Sequence, residues 1–271
     1  MFIRQRLSKS LVFLLLLGML STFYPIRNAS DRLNNKEASA YGSTFVNYLS
    51  LGDSSTCAIT NSGGVKCWGN NDGGQLGRTG LGLYSTSLVD VTDLTSGASA
   101  VSINGMFACA LTSTNGVKCW GNNSSGQLGN GTLTTSRVPV DVSGLTSGVS
   151  EISTGSNHSC AVMTSGGVKC WGSNSNGQLG NGTTTNSSTA VDVTGLSSGV
   201  EAVATGSAYS CALTTAGGVK CWGSGAYGQI GNGSFSDQTT PVDASGLTSG
   251  VSRVAAGLWH VCAAMTSGSV K

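Results

Sequence analysis

The chain has 271 residues, with 41 Gly, only 3 Pro, 39% apolar and 10% charged residues, which argues against disorder and for turn-dense β structure. The net charge of +2 resides in the N-terminal stretch: from Tyr41 onward there are 8 Lys plus Arg against 10 Asp plus Glu. That slightly acidic body offers no positive surface for nucleic acid.

Residues 1–40 read as an export segment. Arg4, Arg6 and Lys9 precede an apolar run that starts at Leu11 and reaches about Leu20, and Ala38-Ser39-Ala40 forms a small-residue cleavage site. The run is roughly 10 to 14 residues, short of the roughly 20 that cross a bilayer as a helix. Membrane attachment is expected only if this segment stays uncleaved as an anchor. In either case the rest of the chain lies outside the cytosol, secreted or at the cell surface.

From residue 41 the chain repeats itself every 51 to 52 residues. Each copy carries a Cys, nine residues, and a second Cys followed by Trp: Cys57 and Cys67, Cys109 and Cys119, Cys160 and Cys170, Cys211 and Cys221. Cys262 falls on the same beat without a partner before Lys271. Copies are drawn at 51–102, 103–153, 154–204, 205–255 and a shortened 256–271. Such a period means one supersecondary unit stacked on its neighbours.

In the copy from Arg137 to Thr183, four β-prone runs are expected, at Val138 to Val142, Val149 to Ser153, Ser159 to Met163 and Val168 to Trp171, each bounded by Gly, Ser or Asn. Four short strands per copy make a propeller blade. No V-D-V run precedes Leu51, so the first blade is expected to lack one strand. A three-residue hairpin loop at Thr164-Ser165-Gly166 sets Val162 opposite Val168 and Cys160 opposite Cys170; its last position, suited to the left-handed region, holds Gly63, Asn115, Gly166, Gly217 and Gly268. Opposed cysteines at that spacing predict one disulfide per hairpin, in keeping with export. Zinc, whose ligands usually pair at shorter spacing, and buried free thiols are the alternatives. Cys262 is expected to be unpaired beside an exposed apolar blade face.

Trp68, Trp120, Trp171 and Trp222 point away from the cysteines and are expected to pack between blades, with Lys66, Lys118, Lys169 and Lys220 laying their stems on the same face. The Gly- and Asn-rich segment after each Trp, ending in GQLGNGT or a close variant, reads as a connection between blades. It is not a phosphate loop, because no Lys-Ser or Lys-Thr follows and no helix begins there. Asn130, Asn181 and Asn232 stand in Asn-Gly-Thr or Asn-Gly-Ser, the acceptor pattern for N-glycosylation.

The stretch from Gly155 to Thr183, GSNHSCAVMTSGGVKCWGSNSNGQLGNGT, resembles a regulator of chromosome condensation repeat. The resemblance runs from about Leu51 to Lys271. It implies an all-β fold, a β-propeller of four-stranded blades, here an incomplete arc of four to five blades from a seven-bladed ring. It also implies candidate activities. The founding member is a nucleotide exchange factor for a small GTPase that docks on chromatin. This chain departs from it in its export segment, its acidic body and the lack of an inserted wedge hairpin. It is more similar to secreted bacterial members that bind proteins.

Function in a repeat array sits where matching copies differ. Before the first Cys of each hairpin stand Asp53 to Thr56, then Met106-Phe107, Asn157-His158, Ala208-Tyr209 and Leu258-Trp259-His260; Tyr227 is a second variable aromatic, against Gly73, Ser125 and Asn176. Met106, Phe107, Asn157, His158, Tyr209, Tyr227 and Trp259 are therefore the candidate partner-binding residues, as aromatic anchors on a rigid platform. The competing expectation is that Phe107, His158, Tyr209 and His260 pack where their strands begin. His158 and His260 are the only histidines and have no acid at a catalytic spacing, so no enzyme, cofactor or metal is implied. Asp90, Asp141, Asp192 and Asp243 recur in the V-D-V strand or its equivalent, where periodic acids are expected to bond backbone in a turn; calcium would need six or more converging oxygens. The readings that remain are an exported binding propeller for a protein or glycan, an exchange factor by analogy, and a structural cell-surface module.

Overall fold

The computed structural model describes residues 46–271; residues 1–40, read from sequence as an export segment, lie outside them. Among the described residues there is no helix, and eighteen strands fall into five antiparallel sheets. The first sheet is β1 (Val46–Leu51), β2 (Ser55–Thr60), β3 (Val65–Asn70) and β4 (Tyr84–Asp90). The second is β5 (Ala98–Asn104), β6 (Phe107–Thr112), β7 (Val117–Gly121) and β8 (Ser136–Asp141). The third is β9 (Val149–Thr154), β10 (His158–Met163), β11 (Val168–Gly172) and β12 (Ser187–Asp192). The fourth is β13 (Val200–Thr205), β14 (Tyr209–Thr214), β15 (Val219–Gly223) and β16 (Gln238–Asp243). A fifth holds β17 (Val251–Ala256) and β18 (Val261–Met265). Each sheet is an up-and-down meander in chain order.

Neighbouring sheets meet through their first strands, β1 on β5, β5 on β9, β9 on β13 and β13 on β17, while each fourth strand packs mainly on its own third. The sheets therefore converge on one side and fan apart on the other, as blades do about an axis.

The inner hairpin has the register expected from sequence. Cys57 opposes Cys67, Cys109 opposes Cys119, Cys160 opposes Cys170 and Cys211 opposes Cys221. The apolar pairs flank them, as Val162 with Val168. The turn residues Gly63, Asn115, Gly166, Gly217 and Gly268 have φ of 79, 64, 82, 77 and 88°. All four pairs are disulfides, with Cα separations of 4.0 to 4.1 Å. Cys262 is free and exposed.

Four expectations are corrected. The V-D-V strand closes the preceding sheet rather than opening the next: Lys118 faces Asp141 and Cys119 faces Val140, so β8 belongs with β7. The first sheet is consequently complete, its opening strand being Val46–Leu51. The segment after each Trp thus joins the third and fourth strands of one sheet, and the step between sheets is the short turn between Val142 and Val149 and its equivalents. The aspartates do not bond backbone in a turn. Asp90, Asp141, Asp192 and Asp243 pair with Lys66, Lys118, Lys169 and Lys220 at 2.5 to 2.7 Å, one partly exposed ion pair in each four-stranded sheet.

The apolar core lies between sheets. Trp120 and Ala108 of the second sheet share a cluster with Cys57, Val65 and Leu76 of the first, and Trp171 and Trp222 repeat the arrangement. Each indole N–H crosses the seam: Trp120 donates to Gln75 O, Trp171 to Gln127 O and Trp222 to Gln178 O, at 2.8 to 2.9 Å. The glycine two residues beyond each Gln must stay bare, since a Cβ on Gly129 would sit 2.8 Å from the Trp171 ring, and its φ of 68° disfavours other residues. The GQLG segment is the socket for the next blade's tryptophan, which is why it recurs.

Candidate partner-binding rim

Because the strands alternate in direction, the first-to-second-strand loops and the long third-to-fourth-strand loops share one rim. Backbone bonds tie them, such as Asn122 N to Met106 O and Ser173 N to Asn157 O. The candidate residues all map to this end, but they separate into two groups.

Phe107, His158 and Tyr209 are fully buried, which removes them as partner contacts in the folded protein. They occupy the first position of the second strand, which lies under the neighbouring sheet. Phe107 joins the apolar cluster that includes Trp171. His158 Nε2 lies 2.9 Å from Ser210 Oγ on the next sheet. Ser210 sends its own proton to Gln178 O at 3.0 Å, so its oxygen accepts from His158 Nε2–H. His158 Nδ1 is then a bare acceptor, buried without a partner. Burial lowers the imidazole pKa to about 4, against a smaller opposing effect from a Tyr209 backbone hydrogen bond. The Tyr209 hydroxyl donates toward Gly257 O at 2.9 Å and His260 O at 2.5 Å, bolting the fifth sheet to the fourth. Burial pushes the Tyr209 pKa well above its ordinary value.

Met106, Asn157, Tyr227 and Trp259 remain at the surface. Tyr227 is 69% exposed and Trp259 46%, and their ring centroids lie 5.2 Å apart at an interplanar angle of 59°. One ring comes from the fourth sheet and the other from the fifth, so the pair spans a seam. Asn157 Oδ1 accepts from Gln127 Nε2 across another seam at 3.3 Å. Phe235 and Leu258 are exposed as well and were missed as candidates. Comparison of copies could have found Phe235, since Leu133 and Thr184 stand at its position. No group of His, Cys, Asp or Glu able to hold a metal ion occurs among the described residues.

The pattern of the regulator of chromosome condensation (RCC1) repeat matches residues 46–75, 98–127, 149–178 and 200–229 and, in a second phase, 117–162, 165–213 and 216–264. The chain belongs to the RCC1 repeat family. It is similar to the mitochondrial RCC1 domain-containing protein RUG3 of Arabidopsis thaliana, with 33% identity over 71% of this chain and 45% of that protein. Among solved structures it superimposes on human WBSCR16 with a TM-score of 0.72 at 25% identity, covering 81% of this chain and 57% of that one. On Prp20p of Saccharomyces cerevisiae, described with its binding to Gsp1p and histones, the TM-score is 0.67 at 20% identity, covering 81% of this chain and 55% of that one. The second likeness shows the fold. The chain spans less than two thirds of the length of each of these proteins.

Proposed function

We propose that this chain is an exported, non-catalytic propeller that engages a protein or glycan partner through the rim carrying Met106, Asn157, Tyr227 and Trp259. The observation that carries the reading is the exposed Tyr227 and Trp259 pair. Two large aromatic rings held in water on a rigid seam cost hydration free energy that a partner can recover, and such anchors dominate binding hot spots. Four hairpin disulfides fit an oxidising compartment, as does a basic-then-apolar N-terminus.

The test is secretion of the full chain, thiol alkylation, and capture of partners from extracellular protein and glycan libraries by wild type and by Tyr227→Ala/Trp259→Ala. Expected are a processed N-terminus, one alkylatable cysteine, and a partner whose affinity falls on the order of tenfold or more in the variant. A chain retained in the cytosol that accelerates nucleotide release from a small GTPase would replace this reading with exchange activity. A secreted chain that captures nothing would leave a structural surface module.

A further inference from the structure

We infer that the seam between the first and second sheets holds a socket for a small uncharged aromatic ring bearing an O–H or N–H, such as a phenol or an imidazole, brought by a ligand. At the other seams the protein supplies the ring itself. The residue two before the first Cys of the hairpin is Phe107, His158 or Tyr209 in the second to fourth copies, and each is fully buried. In the first copy that position holds Ser55. Ser55 stands two residues before Cys57 on the same strand and so faces the same seam, whose apolar cluster includes Cys57, Ile103 and Ala108. Both sheets of this seam have all four strands.

The seam has not closed around the smaller residue. A Cβ on Gly155 would sit 2.4 Å from the His158 ring and 2.4 Å from Gly206 O, and one on Gly206 would sit 2.0 Å from the Tyr209 ring and 2.7 Å from Gly257 O. Gly52 is the equivalent residue of the first copy. The nearest atoms to a Cβ there are Asn104 Cα, Ile103 O and Ser55 O, all at 3.4 Å. The facing backbone thus comes no closer than at the seams that contain a ring. Two sheets keep a ring's spacing around a side chain that ends in one oxygen.

The same residues set the polarity of the ring. Ser55 is 3% exposed, and its Oγ is buried without a hydrogen-bond partner among the described residues. Between the third and fourth sheets His158 meets the hydroxyl of Ser210, but the residue equivalent to Ser210 in the second sheet is Ala108. Ser55 therefore has no hydroxyl across the seam to bond. A ring with a donor would fill the space and satisfy the buried oxygen together. Gly52 is half-buried, and Asp53 and Ser54 beside it are exposed, so the way in is from the rim. The socket is separate from the Tyr227 and Trp259 pair and stands whether or not that pair binds a partner.

The experiment is titration of the full chain with p-cresol and with imidazole in mildly alkaline buffer, followed by amide chemical shifts, with toluene as a ring that has no donor. Saturable shifts should centre on Gly52, Ser55 and Ala108, with dissociation constants on the order of millimolar for the first two and roughly tenfold weaker for toluene. Ser55→Tyr, which places the protein's own ring in the socket, should abolish the shifts and raise the melting temperature by roughly 2 to 4 °C. A pair of glycine variants tests the space without ligand or large side chain. Gly52→Ala should keep the melting temperature within about 1 °C, whereas Gly155→Ala, whose methyl meets the His158 ring, should lower it by about 5 °C or more. Absence of saturable shifts, shifts that persist in Ser55→Tyr, toluene binding as tightly as p-cresol, or equal losses in the two glycine variants would overturn the socket.

Discussion

Two adjacent columns of the repeat behave in opposite ways in the second and third copies, whereas His260, expected to pack where its strand begins, is exposed beside Trp259 in the fifth. Met106, Asn157 and Trp259 stand in water, whereas the residues next to them in two of these copies, Phe107 and His158, together with Tyr209 of the fourth copy, have no exposed surface. Both columns vary from copy to copy, but for different reasons. The exposed column varies because the scaffold places no demand on it. The buried column varies because each seam is filled by its own chemistry: a phenyl ring in an apolar cluster, an imidazole on a serine hydroxyl, a phenol on two carbonyls. Variability between repeats marks freedom in one column and seam-specific packing in the other.

Truncation should separate the columns most sharply. Phe107→Ala opens a cavity between the second and third sheets and is expected to lower stability by about 3 to 5 kcal/mol, while Met106→Ala stays within about 0.5 kcal/mol, both by denaturant titration. Acid should reach the His158 seam next. Its pKa is lowered on folding, from 6.5 to about 4, so the folded state prefers the neutral ring. The corresponding stability is complete above the unfolded value and is lost as pH falls from 6.5 toward 4, by about 3 kcal/mol in total. His158→Phe should flatten that dependence; an unchanged acid profile in the variant would place the titrating group elsewhere. Tyr209→Phe removes the hydroxyl from two carbonyls and is expected to cost about 1 to 3 kcal/mol, read out as faster amide exchange in β17 and β18. Smallest of all, Lys118→Ala should change stability by less than about 1 kcal/mol, since the Lys118 and Asp141 pair is solvent-exposed and screened by salt.

The hairpin was legible in the sequence because two signals coincide: a glycine or asparagine at the left-handed turn position and apolar residues that meet across it. The phase of the blade was not. A cyclic pattern of four strands has the same content wherever counting starts, so periodicity could not say whether Val138 to Val142 opens one sheet or closes another. The pairing of Lys118 with Asp141 decides it, and that contact spans a loop whose length the sequence does not restrict. Burial of Phe107, His158 and Tyr209 was equally hidden. Alternation tells which way a side chain points from its strand, but not that this strand end lies beneath the next blade. Tyr227 was visible as a departure from Gly73, Ser125 and Asn176, whereas its contact with Trp259 depends on two sheets meeting.

Hydroxyl-radical footprinting of the folded chain, read residue by residue by mass spectrometry, tests the division between seam and rim most directly. Met106, Tyr227 and Trp259 should oxidise readily while Phe107, His158 and Tyr209 remain protected until the protein unfolds. Ready oxidation of Phe107 and Tyr209 in the native state, with Trp259 protected, would contradict the account.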